Sequence, residues 1–166
     1  MIAMGVLTVG ILGMAAVFAA GVQNLASSPG DVIVTQKAAQ AIEAVFAARD
    51  SHKVTWAQIR NVSGANSDNG IFLDAAQQLT LAGADGLVNT GDDLSEVESV
   101  ILPGKDRTLG TADDQTLPLS QYTRKIEIRD VPNTSGMLRS IVVTMVFQSG
   151  PTRREYKLST FISSYS

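Results

Sequence analysis

No charged residue occurs before Asp31. The opening segment, Met1 to Val22, reads MIAMGVLTVGILGMAAVFAAGV and is apolar apart from Thr8. A helix that crosses the hydrocarbon core of a bilayer needs about 20 such residues, so this segment is long enough to span. Three fates are open to it. A buried core helix is one, although so long an uncharged run is rare in soluble helices. A cleavable secretory signal is another, with Ala19 and Ala20 as small residues near a cleavage point. The basic n-region is missing, however, and the apolar run is longer than a usual h-region. The third is a membrane helix, which is the expectation adopted here. Gly5, Gly10, Gly13 and Gly21, with many alanines among them, permit close approach between helices in a membrane.

Helical periodicity continues past the membrane length. In VIVTQKAAQAIEAVFAARD, Val34, Ala38, Ala41, Ile42 and Val45 recur on one face, with Gln36, Lys37, Gln40, Glu43 and Arg49 largely on others. Pro29 and Gly30 are placed to break or kink the rod between the two parts. If helical throughout, about 50 residues at about 1.5 Å each reach roughly 75 Å.

The remainder divides into a puzzling middle and a clear end. KVTWAQIRNV, Lys53 to Val62, fits a last helical turn or a first strand, and Trp56 is expected as a packing anchor between helix and sheet. GIFLDAAQQLTLAG is ambiguous. RKIEIRDV, Arg124 to Val131, alternates Ile126, Ile128 and Asp130 against Lys125, Glu127 and Arg129. LRSIVVTMVF, Leu138 to Phe147, is β-branched and reads as a central strand, and RREYKLSTFIS alternates again. This is an antiparallel meander whose apolar face needs a cover, and the amphipathic helix is the candidate. Helix on antiparallel sheet is an α+β architecture. The expected organisation is a membrane or filament-core helix over 1–30 and an amphipathic continuation over 31–52. A head follows over 53–166, with an acidic insertion at 83–114 and the meander at 122–164.

Charge is segregated. Residues 83–114 hold eight acids and two bases, a local net of −6, whereas 122–166 holds seven bases and three acids, a net of +4. The whole chain stands at only −3, so the totals do not point to nucleic acid as a partner. Arg124, Lys125, Arg129, Arg139, Arg153, Arg154 and Lys157 are expected on the solvated face of the sheet, where they can also meet acidic loops of a neighbouring subunit. The absence of cysteine excludes disulfides and thiolate metal sites, and the single histidine, His52, excludes a multi-histidine site within one chain.

The acids of the middle segment follow a rule. GADGLVNTGDD, Gly83 to Asp93, and GKDRTLGTADD, Gly104 to Asp114, both fit G-x-D-x-x-x-[NG]-T-x-D-D at an offset of 21, with five of eleven positions identical. Calcium takes about 6–8 oxygen ligands in flexible geometry, and a short loop supplies them when carboxylates sit close and glycines turn the chain. The candidate ligands are Asp85, Asn89, Asp92 and Asp93 in the first unit and Asp106, Asp113 and Asp114 in the second. Threonine hydroxyls and backbone carbonyls can add to them. Crowded carboxylates repel one another, so a cation is expected, one or two Ca2+ ions in all. Zinc and copper are disfavoured for want of imidazole or thiolate. The pattern is not an EF-hand, whose D-x-[DN]-x-[DN]-G core and final glutamate are missing. It resembles the D-G-x-x-G-T-x-D-D loops of secreted bacterial proteins. The competing account is that Asp, Asn, Gly and Thr simply make good turns.

The segments IAMGVLTVGILGMAAV, Ile2 to Val17, and AAQAIEAVFAARDS, Ala38 to Ser51, resemble the N-terminal helix of type IV pilins and type II secretion pseudopilins, in particular the minor-pilin group. The C-terminal RSIVVTMVFQSGPTRREYKLSTFISSYS resembles the last hairpin of such proteins, and the acidic repeat loosely resembles the calcium loop of major pseudopilins. Family members begin with a basic leader ending in glycine, then an aromatic residue and a nearby glutamate. The sequence opens inside that motif: the true start lies upstream, the chain is truncated, or the signal has been lost, and the first is the expectation adopted. The resemblance implies a structural subunit of an envelope filament. Its helix would rest in the bacterial inner membrane with a periplasmic head, then pack against other pilin or pseudopilin subunits in a pilus or pseudopilus. A membrane-anchored or secreted calcium-binding adhesion module is the alternative. An enzyme is not expected: there is no nucleophile elbow, phosphate loop or cysteine nucleophile.

Overall fold

The computed structural model describes residues 14, 30–63, 69–149 and 152–165. The expected membrane helix over 1–30, and the break at Pro29, therefore lie outside the described residues apart from Met14 and Gly30. No helix among the described residues is long and apolar enough to cross a membrane. Within them the chain is α+β, with one helix and a mostly antiparallel sheet.

Residues 30–50 are helical and form α1. The stripe read from the sequence is the buried face: Val34, Ala38, Ala41, Ile42 and Val45 are all buried, joined by Ile33 and Ala48. The helix ends in a Schellman motif. The amides of His52 and Lys53 donate to the carbonyls of Arg49 and Ala48, both at 2.9 Å. His52 occupies the left-handed position at φ 55° that glycine usually takes. Residues 53–63 then run as turns, touching Phe72 through one parallel bridge at Asn61, so neither a helical turn nor a strand forms at Lys53–Val62.

The main sheet has the order β1-β4-β5-β6, with β1 Gln77–Gln78, β4 Tyr122–Asp130, β5 Leu138–Ser149 and β6 Thr152–Ser163. All three neighbouring pairs are antiparallel. The last three strands are the expected meander. A separate two-stranded hairpin, β2 Ser99–Leu102 with β3 Gln115–Pro118, was not foreseen, and it carries the second acidic unit between its strands.

Alternation decides which side chains enter the core. On β4 Tyr122, Arg124, Ile126 and Ile128 point inward, and on β5 Arg139, Ile141, Val143, Met145 and Phe147 do. Tyr122 stacks on Phe147 with centroids 5.6 Å apart. The expectation that all seven C-terminal bases line the solvated face fails at two positions. Arg124 and Arg139 are each only 2% exposed, because they share parity with the buried isoleucines. α1 lies along the sheet beside β6: Asp31 meets Arg154 at 3.2 Å near one end, and Arg49 donates to the Ser163 carbonyl at 2.9 Å near the other. Trp56, expected between helix and sheet, is half-buried against the core and anchors on the sheet side. It stacks on Arg139, whose guanidinium carbon is 4.0 Å from the ring centroid, and its indole N–H donates to the Gly136 carbonyl at 2.9 Å.

Two substitutions check this register by urea unfolding of the full chain in detergent micelles. Ile141→Ala removes a fully buried side chain and is expected to cost about 2–5 kcal/mol. Phe161→Ser, on the outer face of β6 at 62% exposure, should stay within about 0.5 kcal/mol. A reversed order of effects would place the wrong face of the sheet inward.

Candidate functional site: a repeated acidic turn

The two sequence units fold alike, and each position of the pattern has a task. At the third position Asp85 Oδ1 accepts from the Leu87 amide at 2.7 Å, and Asp106 Oδ1 accepts from the Thr108 amide at 2.8 Å. The carbonyl of the leading glycine closes the same turn, taking the Gly86 amide at 3.1 Å and the Arg107 amide at 3.2 Å. The tenth-position carboxylate reaches back across the loop. Asp92 Oδ2 accepts from the Asp85 amide at 3.1 Å, and Asp113 Oδ2 from the Lys105 and Asp106 amides at 2.6 and 3.3 Å. The threonine hydroxyl donates to the other oxygen of that carboxylate at 2.8 Å in both units. At the eleventh position Asp93 takes the amides of Asn89 and Thr90 at 2.8 and 3.4 Å, and Asp114 those of Gly110 and Thr111 at 2.6 and 3.3 Å.

Glycine at the first position follows from packing. A Cβ on Gly83 would stand 2.5 Å from Asp92 Cγ, and one on Gly104 would stand 2.3 Å from Asp113 Cγ. The variable seventh position follows from the backbone: Asn89 sits at φ 62° and Gly110 at φ 89°, a region that Asn and Gly tolerate best. The acids are therefore acceptors for their own loops. The Thr90 hydroxyl, then the Asp85 amide, hold the Asp92 carboxyl below its ordinary value of 3.8. The Thr111 hydroxyl, then the Asp106 amide, do the same for Asp113. Among the described residues no group of three or more His, Cys, Asp or Glu side chains is arranged to hold a metal ion.

The surroundings of the two units differ. The second is the exposed tip of the β2–β3 hairpin, with Leu109 at 61% exposure. The first is set into the core through Leu87, Asn89 and Thr90. Asn89 exchanges two hydrogen bonds with Arg124 of β4. Its Oδ1 accepts from Arg124 Nε at 2.7 Å, and its Nδ2 donates to the Arg124 carbonyl at 2.8 Å. Arg124 Nη1 meets Glu98 at 3.3 Å, and Glu98 in turn meets Lys37 of α1 at 2.5 Å. Burial lowers the Arg124 guanidinium from its ordinary value while Glu98 opposes that shift. A cavity of about 250 Å³ lies beside this chain of contacts, lined by Lys37, Gln40, Ala41 and Ala44 on α1, by Leu81, Ala82 and Val88, and by Glu98 and Arg124.

All seven expected ligand residues thus fall in the two turns, and the structure does not bring the turns' carboxylates into one cluster. Arg124, Glu98 and Lys37 were not foreseen as a set. Strand parity would have found Arg124, since it lies two residues from Ile126 on the same face. No known protein family, curated protein or solved structure matches the chain.

Because both tenth-position carboxyls are depressed, the stability they contribute is full above 3.8 and is lost as pH falls through their lower folded values. Side-chain carboxyl carbon titration by NMR should place both below 3.8. Thr90→Val should raise Asp92 and leave Asp113 where it was. A joint shift, or none, would remove the hydroxyl as the cause.

Proposed function

We propose that this chain is a pilin-like structural subunit of a bacterial envelope filament. Residues 1–22 would sit in the inner membrane before assembly and in the filament core after it, and the head would face the periplasm and then the filament surface. The observation that carries the reading is continuity. An uncharged segment of spanning length precedes an amphipathic helix whose apolar stripe is buried on an antiparallel sheet. A subunit held by one helix and displaying one head needs that arrangement. Partners on this reading are other pilin or pseudopilin subunits, and nucleic acid is not among them. Among the described residues, the aspartates of the two turns accept from their own backbone amides.

Calcium belongs to the same proposal. The donors are hard oxygens, the class calcium takes. Asn89 Oδ1 faces Arg124, which leaves the aspartates as the ligand candidates: Asp85, Asp92 and Asp93 in one unit, Asp106, Asp113 and Asp114 in the other. Each of these carboxylates already accepts N–H or O–H groups at one or both oxygens, while Asp114 Oδ1 has no hydrogen-bond partner among the described residues, so an ion would be held through free oxygens, remaining lone pairs or exchange of those bonds.

Fractionation of the native cell tests the filament reading. The protein is expected in the inner membrane and in sheared surface filaments, and recovery only as free secreted protein would favour the adhesion-module alternative. Upstream coding DNA gives a second check: an in-frame basic leader ending in glycine, followed by an aromatic residue and a glutamate, is expected. For the ion, calcium at 100 times its dissociation constant would add about 2.7 kcal/mol, a rise in thermal midpoint of about 5 °C or more over chelator. Asp92→Ala with Asp113→Ala should abolish that rise. An unchanged midpoint in the parent chain would remove calcium from the reading.

A further inference from the structure

We propose that the first acidic unit and helix α1 form one cooperative device, joined through the buried series Lys37–Glu98–Arg124–Asn89, and that the second unit, built on the same turn, stands outside it. The inference does not depend on the filament reading or on calcium.

Four observations carry it. The series is continuous, with contacts of 2.5, 3.3 and 2.7 Å from α1 through Glu98 and β4 to the loop. Its inner members are buried: Glu98 is 7% exposed, Arg124 2% and Asn89 0%. Arg124 Nη2 finds no acceptor among the described residues, so Glu98 and Asn89 are what its side chain is bonded to. Finally, a cavity of about 250 Å³ lies beside the series, between α1 and Leu81, Ala82 and Val88. A buried charge that loses its partner is strongly destabilised, which makes each contact conditional on the next. Asp93 adds a carboxylate on the loop side that favours the charged Arg124.

The residue that bonds one unit to Arg124 and leaves the other without that bond is the seventh of the pattern. Asn89 carries the amide that meets Arg124, whereas Gly110 carries no side chain at all. Both accept a left-handed backbone, so the substitution is free of strain in the turn itself. The duplicated motif thus has two uses. One copy reports the position of the helix to the loop, and the other is a separable tip whose opening leaves the helix undisturbed. Coupling is reciprocal, so whatever moves α1 loosens the first loop, and whatever orders that loop tightens α1.

The test uses equivalent amides in the two copies as each other's control. Hydrogen exchange of the full chain in detergent micelles, with chelator present, is followed at Asn89 and Thr90 and at Gly110 and Thr111. Lys37→Met should speed exchange about tenfold at the first pair and leave the second pair unchanged. Lys37→Arg should restore the first pair. Asn89→Gly should speed exchange at Thr90, and in that background Lys37→Met should have no additional effect on Thr90. Asn89→Gly should also speed the α1 amides of Ala38 and Ala41. Equal acceleration in both units overturns the proposal. So does no acceleration at Asn89 and Thr90, or an undiminished Lys37→Met effect in the Asn89→Gly background. Should Lys37→Met fail to fold, Lys37→Gln replaces it under the same criteria.

Discussion

A guanidinium on the core face of β4 sets the terms for what packs above it. Strand alternation puts Arg124 in line with Tyr122, Ile126 and Ile128, where it is almost fully withdrawn from solvent. Removing a charge from water costs several kcal/mol unless it is paired and hydrogen-bonded. The chain meets that cost from two directions. Glu98 comes from the segment just before β2, and Asn89 from the loop of the first acidic unit. Glu98 is itself buried and is balanced by Lys37 on α1. Helix, sheet and loop are therefore held in register by one electrostatic requirement. Arg139 makes a second such requirement near the end of α1. It stacks on Trp56, donates to the carbonyls of Trp56 and Ile59, and pairs with Asp130 at 2.9 Å. Between the two arginines lies an apolar sheet face to which α1 contributes small and β-branched side chains.

The helix and the three long strands were legible because their signals are local. Period 3.6 marked the buried face of α1, and period 2 marked β4 and β6. The same period marks Arg124 and Arg139 as core-facing, but a charged residue invites assignment to solvent and masks its own parity. The middle of the chain was opaque for a different reason. β1 is two residues long, and β2 and β3 are four each, too short to show a period. The segments around them are held by tertiary contacts: Leu79 and Phe72 are fully buried, and Asn61 satisfies the Ile126 carbonyl and the Ile128 amide across 65 and 67 residues of sequence. No pattern within a short window announces such bonds.

The duplicated motif was legible as a repeat, and its geometry accounts for its order. Glycine stands first because the tenth residue's carboxylate packs over it. Threonine stands eighth because its hydroxyl orients that carboxylate. Aspartates stand third, tenth and eleventh because each receives backbone amides that the tight turn leaves without carbonyl partners. The amides offset much of the repulsion among the carboxylates, so like-charge crowding alone no longer demands a cation. The proposal of calcium then rests on hard oxygen chemistry rather than on electrostatic necessity.

The contrast between the copies shows most clearly at one side chain, beside the buried Leu87 and Thr90 of the first. A turn that satisfies itself can be placed anywhere a chain reverses, which is how the second copy serves as the tip of a hairpin. The same turn becomes part of the core once its seventh residue can reach out. Asn89 does this with both ends of its amide, giving an acceptor to Arg124 Nε and a donor to the Arg124 carbonyl. Glycine at that position would keep the loop and lose both bonds to Arg124, leaving Arg124 with Glu98 as its remaining side-chain partner. In a subunit whose helix must leave a bilayer and repack among neighbours, as the filament reading requires, a loop bonded to the helix through buried charge holds the head to its stalk. A self-contained copy on the surface can contact other molecules without pulling on it.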